Sequence, residues 1–198
     1  MTSSSGGNVR RSAHGYAQCA QLLLALALLL MPFASLQADE VTTEVDGLVI
    51  SADFDLADGK TVSDPVILIS HALLQHKRHE TVRVFSGLFR EKGYSTLAMT
   101  FSAGISNRQG PYDCTVPHRH KFEDHARDMR AWIAWLKNKG AKQVTVAGHS
   151  GGANAVARLQ ADPVDAIVTK AILFAPGTSD HFARSPEGYR ARYRKDIE

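Results

Sequence analysis

The pentapeptide Gly148-His149-Ser150-Gly151-Gly152 lies between the apolar run Val144-Thr145-Val146-Ala147 and the small-residue run Ala153-Asn154-Ala155-Val156-Ala157. That order reads as a strand, a forced turn and a helix, with a nucleophile at the tip. A side chain beside so tight a turn collides with the adjoining strand or helix, so glycines at 148, 151 and 152 are what the geometry demands. The Ser150 hydroxyl is thereby pushed out to where a substrate can reach it. Gly-x-Ser-x-Gly alone recurs by chance; here the two flanks make it informative.

The rest of the chain supplies elements of matching kind. Residues 45–54 read as an opening strand or hairpin, followed by a turn around Asp58-Gly59. Pro65 to Ser70 is a continuous apolar run of strand length, as expected for a strand covered on both faces. From Glu80 to Lys92, Val82, Phe85 and Phe89 recur at helical spacing before Gly93, and 94–101 returns to strand character. Residues 102–120 have no usable period, and an irregular stretch of that length in a compact domain is expected to line a site. Phe122, Ala126, Met129, Ile133 and Leu136 then mark one face of a helix, with acids in its first turn and lysines in its last. Strands follow at 143–147 and 170–175, with a helix over 151–161. Strands alternating with helices imply an α/β class: a mostly parallel sheet with helices on both faces. In such sheets ligands gather at the carboxyl ends of the strands, where His71 to Leu74, the 102–120 loop and Ser150 all fall.

Length and composition set further limits. A chain of 198 residues, 44% hydrophobic, supports one main core. Leu22 to Phe33 is an apolar run preceded by Arg10-Arg11, the length of a signal-peptide core and short for a membrane span. Residues 1–38 are therefore expected to be a signal peptide cleaved near Ala38, with a retained membrane anchor as the alternative, and residues 39–198 the domain. The expected location is periplasmic or secreted. Cleavage removes Arg10 and Arg11 from the 23 basic residues and none of the 20 acidic ones, leaving 21 against 20. A chain so nearly neutral gives no electrostatic case for nucleic acid. Cys19 leaves with the leader, so Cys114 is expected to be an unpaired thiol in a loop.

The Gly148–Gly152 turn, Ser70-His71-Ala72 after a buried strand, and the order of elements from Val45 to Pro176 resemble the α/β-hydrolase superfamily, within it the secreted lysophospholipase-like or serine-aminopeptidase-like esterases. The chain has His71-Ala72 where that group usually has His-Gly. The resemblance implies that Ser150 attacks an acyl carbonyl and that two backbone N–H groups hold the resulting oxyanion. One is that of Gly151; the other is that of Leu73, with Ala72 as the alternative. His71 and Ala72 are expected to border the substrate, His71 ordering the oxyanion loop by hydrogen bonding rather than moving protons. The implied substrate is a small acyl compound, and no cofactor is implied.

The superfamily order is serine, then acid, then histidine, and only 48 residues follow Ser150. Asp180 is the candidate acid. His181 beside it stands too early for the base, and His149 is expected to face away. The resemblance therefore implies that C-terminal strands are missing and that the chain is the front part of a hydrolase: a fragment, a truncated reading frame or a degenerate copy. A sheet stopped at 170–175 is expected to leave an apolar edge exposed. The competing class is a non-catalytic binding module that keeps the fold and the turn. His76, His79, Glu80, His118, His120 and His125 match no metal-ligand spacing, so no metal is expected. Trp132 and Trp135 are expected to pack, and the basic end from Arg184 to Lys195 to be a solvated helix face.

Overall fold

The computed structural model describes residues 38–116 and 120–177. Residues 1–37, His118, Asp180, His181 and the basic end, for which expectations were stated above, lie outside the described residues. Strands β1 (Asp39–Val45) and β2 (Leu48–Asp55) form an antiparallel hairpin. Its two-residue turn is Asp46-Gly47, with φ of 49° and 77°. Asp-Gly is favoured there because a turn with two positive φ values matches the twist of the strands it joins. The expected opening strand is thus β2. A second turn does fall at Asp58-Gly59.

The elements that follow are β3 (Val66–Ser70), α1 (Glu80–Glu91), β4 (Ser95–Met99), α2 (Phe122–Asn138), β5 (Val144–His149), α3 (Gly151–Ala161) and β6 (Val168–Phe174). They build one six-stranded sheet in the order β1-β2-β4-β3-β5-β6. β2 runs antiparallel to β4, while β4, β3, β5 and β6 pair in parallel.

Alternation along the central strands sorts the core into two layers, because successive side chains of a strand point to opposite faces. Val66, Leu68, Leu97, Met99, Val144 and Val146 face Met129, Trp132, Ile133 and Leu136 of α2 and Ala155, Val156 and Leu159 of α3. Ile67, Ile69, Ala98 and Ala147 face the other way, against Val82 and Phe89 of α1. Helices therefore cover both faces, which is why β3 and β4 are buried throughout and carry no polar alternation.

The helix ends follow local chemistry. His79 caps α1 by accepting from the Thr81 N–H, and Gly93, at φ 77°, lets the chain leave the helix. Asp124 accepts from the Lys121 N–H at 2.8 Å at the start of α2. Ala126, Met129, Ile133 and Leu136 form the buried face of α2 as the spacing predicts, but Phe122 is 54% exposed and Trp132 is fully buried beside them. Trp132 is thus a central packing residue. Among the described residues β6 has a sheet partner only in β5, and Leu173 on it is 41% exposed. No helix among the described residues is long and apolar enough to cross a membrane.

Candidate active site

Ser150 sits between β5 and α3 with φ 51° and ψ −115°, a backbone state that a residue with a side chain adopts only when its surroundings enforce it. Several contacts do so. Its N–H donates to the Phe174 carbonyl at 2.9 Å, and its carbonyl accepts from the Asn154 N–H at 3.1 Å, opening α3. A Cβ on Gly148 would collide with the carbonyl group of Gly152. A Cβ on Gly152 would run into the His71 carbonyl oxygen and stand 2.8 Å from the Ser70 carbonyl oxygen and hydroxyl. The glycines are therefore required by the approach of β3 as much as by the turn. Ser70 secures that approach, its hydroxyl donating to the Ala147 carbonyl at 3.1 Å and lying 3.3 Å from that of Gly152.

The same packing brings Leu73 onto Gly151. A Cβ on Gly151 would stand 3.0 Å from the Leu73 nitrogen and 3.2 Å from its Cβ. Gly151 is the first residue of α3, so its N–H lies outside the helical ladder and at the positive end of the helix dipole. Ala72 differs: its N–H donates to Gln75 Oε1 at 3.3 Å, its carbonyl accepts from the His71 ring, and it is buried. Of the two candidate residues in this loop, Leu73 is the one next to Gly151 whose N–H has no such engagement.

His71 is 1% exposed. Its Nε2 accepts from the Phe101 N–H at 3.1 Å, so Nδ1 carries the proton and donates to the Ala72 carbonyl at 2.6 Å. Burial, aided by the nearby Arg108 charge, pushes its pKa down to about 3. A neutral ring with both nitrogens occupied orders the loop between β3 and α1 and does not serve as a base.

Arg108 is a participant that the sequence reading did not single out. It is only 7% exposed. Its Nε donates to the Phe101 carbonyl at 2.8 Å, and one terminal nitrogen donates to the carbonyls of Gln75 and Gly110 at 2.9 and 2.8 Å. The other lies 3.3 Å from His71 Nε2. Burial lowers its pKa to about 10, which leaves it fully cationic at neutral pH. Arg108 thus ties the irregular segment after β4 to the carboxyl edge of the sheet. Asp128 of α2 does the same from below, accepting from the Ser102 N–H at 2.7 Å; burial raises its pKa.

These groups border a small recess lined by Leu73, Gly151, Phe101, Arg108, Tyr112 and His125, with His71 also at its wall. Ala103, Arg108 and Tyr112 come from the 102–120 stretch, so that segment does line the recess. His125 stacks on Phe101 with centroids 4.3 Å apart, and burial pushes its pKa down to about 4. His149 lies on the α1 side, edge-on to Phe85 at 6.2 Å. Cys114 is an exposed free thiol. Among the described residues no group of three histidine, cysteine or acidic side chains is placed to hold a metal ion.

No protein-family model and no curated protein matches the chain. Solved structures do. The chain is similar to the Pyrococcus furiosus esterase Pf2001, with a TM-score of 0.60 and 20% identity over 83% of this chain and 64% of that one. It is also similar to the alpha/beta hydrolase GrgF from Penicillium sp. sh18, with a TM-score of 0.58 and 22% identity over 81% and 55% of the two chains. Est1E from Butyrivibrio proteoclasticus, with ferulic acid bound, gives 0.57 and 21% over 76% and 56%. The fold of this chain is therefore the α/β-hydrolase fold. The chain spans less than two thirds of the length of these three structures.

Proposed function

We propose that the chain carries the nucleophile and oxyanion site of a serine hydrolase that cleaves a carboxylic ester or similar acyl bond of a small molecule. The observation that carries this reading is the approach of Leu73 N to Gly151 beside a strained Ser150. Ser150 Oγ attacks the acyl carbon and its proton passes to a base. The carbonyl oxygen, now negative, accepts from the Gly151 and Leu73 N–H groups. Collapse expels the alcohol, which takes that proton from the base, and leaves an acyl-serine; water then gives a proton to the base, attacks the acyl carbon, and the base passes the proton to Ser150 Oγ as the acid departs. Each N–H contributes about 3 to 4 kcal/mol of transition-state stabilisation in sites of this kind. Because the donors are fixed by packing before substrate arrives, no reorganisation is needed at the moment of reaction.

His71 is committed to the Phe101 N–H and the Ala72 carbonyl, and His149 lies against Phe85 on the α1 side, so neither is the base; Asp180 remains the candidate acid. We place the enzyme in the periplasm or outside the cell, on the leader-like residues 1–38, and in the lysophospholipase-like or aminopeptidase-like esterase group. A fluorophosphonate probe tests the assignment. Stoichiometric labelling that disappears in Ser150→Ala supports it. Failure of the folded chain to label favours the second reading, a binding module that uses the same recess without turnover.

A further inference from the structure

The guanidinium of Arg108 is a buried cation at the wall of the recess, and among the described residues it has no ion-pair partner. Isolated buried charge is costly unless it is paired or fully hydrogen-bonded. Three of its N–H groups are answered by backbone carbonyls, which are neutral. The remaining nitrogen faces His71 Nε2, whose single lone pair already accepts from Phe101. At least one strong donor of Arg108 is therefore unmatched. Asp128 acts on Arg108 only through space, because its carboxylate oxygens are taken by the Ser102 N–H and Arg127.

A second group bears on the same recess. His125 is buried at its wall, and its Nδ1 is buried without a hydrogen-bond partner. Leu73, Leu74, Phe101 and Ala103 supply the apolar part of the lining, which strengthens charge interactions within. Gly151 adds the N-terminal end of α3. Arg108 and the Gly151 N–H thus bring positive potential to a recess that Tyr112 and His120 also line, and none of its described lining residues is a carboxylate.

We propose that Arg108, assisted by His125, is a specificity-determining anion site beside the oxyanion pair, and that it selects esters carrying a carboxylate on the acyl part, such as half-esters of short dicarboxylic acids. Arg108 takes the carboxylate while the ester carbonyl sits between Gly151 and Leu73. The site rests on the serine-hydrolase reading for its substrate but not for its ligand, since a dicarboxylate binds the same donors without reaction.

The test uses the full chain and its Ser150→Ala, Arg108→Gln, Arg108→Lys and His125→Phe variants. Monoethyl glutarate and ethyl valerate are compared as substrates, and glutarate and the neutral glutaramide as ligands in thermal melts at matched ionic strength. The wild type is expected to prefer the half-ester by about tenfold or more, as for a charge-assisted hydrogen bond. Glutarate, and not glutaramide, is expected to raise the melting temperature of wild type and Ser150→Ala alike. The rise is lost in Arg108→Gln, partly restored in Arg108→Lys and reduced in His125→Phe. If Arg108→Gln does not fold, the glutarate–glutaramide contrast in Ser150→Ala and its reduction in His125→Phe decide. Hydrolysis without preference, together with equal effects of the two ligands, overturns the anion site and leaves the serine reading standing. Selective stabilisation by glutarate with no hydrolysis of either ester does the reverse.

Discussion

Acid should loosen this fold well before its carboxylates protonate, and the cause is the pair of buried imidazoles at the head of the sheet. Burial depresses His71 to about 3 and His125 to about 4, from an ordinary value of 6.5. Both are neutral in the folded chain, whereas in the unfolded chain they take up protons as pH falls through 6.5. The unfolded state then binds more protons than the folded one, so stability decreases with acidification. The loss begins near pH 6.5 and continues until pH reaches the folded values. Between pH 7 and pH 5 each ring contributes a loss of about 2 kcal/mol, about 4 kcal/mol for the pair. For a chain of this size that lowers the melting temperature by about 8 to 16 °C. His76, also shifted down, adds in the same direction. Melting followed by circular dichroism at pH 7, 6 and 5 measures the effect. His125→Phe keeps the stack on Phe101 and removes one titrating group, so its pH dependence should be about half that of the wild type. A melting temperature that stays within 2 °C over this range, or an unchanged slope in His125→Phe, refutes the reasoning.

Other perturbations give separable outcomes. Gly152→Ala drives a methyl into the His71 and Ser70 carbonyls and should cost about 1 to 3 kcal/mol, read from urea unfolding, as for an overpacked core. Gly151→Ala meets Leu73 at 3.0 Å, a gap that a small loop shift relieves, so fluorophosphonate labelling should slow while unfolding moves less than in Gly152→Ala. Trp132→Ala empties the centre of the layer under α2 and should cost about 3 to 5 kcal/mol. Asp128→Ala strands the Ser102 N–H and should cost about 1 to 3 kcal/mol, with Asp128→Asn recovering most of it; equal losses would show that charge, not the hydrogen bond, matters there.

The turn at Ser150 was legible because its requirements are local: apolar residues before it, small ones after it, and glycine where a Cβ has no room. The sheet was legible for the same reason, since β3 and β5 announce themselves as apolar runs. Asp46-Gly47 carried a hairpin signal of equal strength, but the strand before it, Asp-Glu-Val-Thr-Thr-Glu-Val, is too polar to stand out from a loop. Arg108 was not legible at all. Its partners are the carbonyls of Phe101, Gln75 and Gly110, which belong to every residue and leave no trace in side-chain pattern. For His71 the ordering role was legible but not the tautomer, which is set by a backbone N–H 30 residues away.

The Ser70 hydroxyl gives the molecule an internal gauge of strand register. It links the end of β3 to Ala147 in β5 and to Gly152 in α3, so the spacing between Leu73 and Gly151 is inherited from the alignment of two neighbouring strands. A slip of β3 against β5 by one residue, about 3.3 Å, would separate the paired donors by more than a hydrogen bond's reach while leaving the helices in place. Loss of donor pairing should therefore precede loss of helical signal when the sheet is loosened, and the chain's chemistry becomes a finer reporter of sheet alignment than its spectrum.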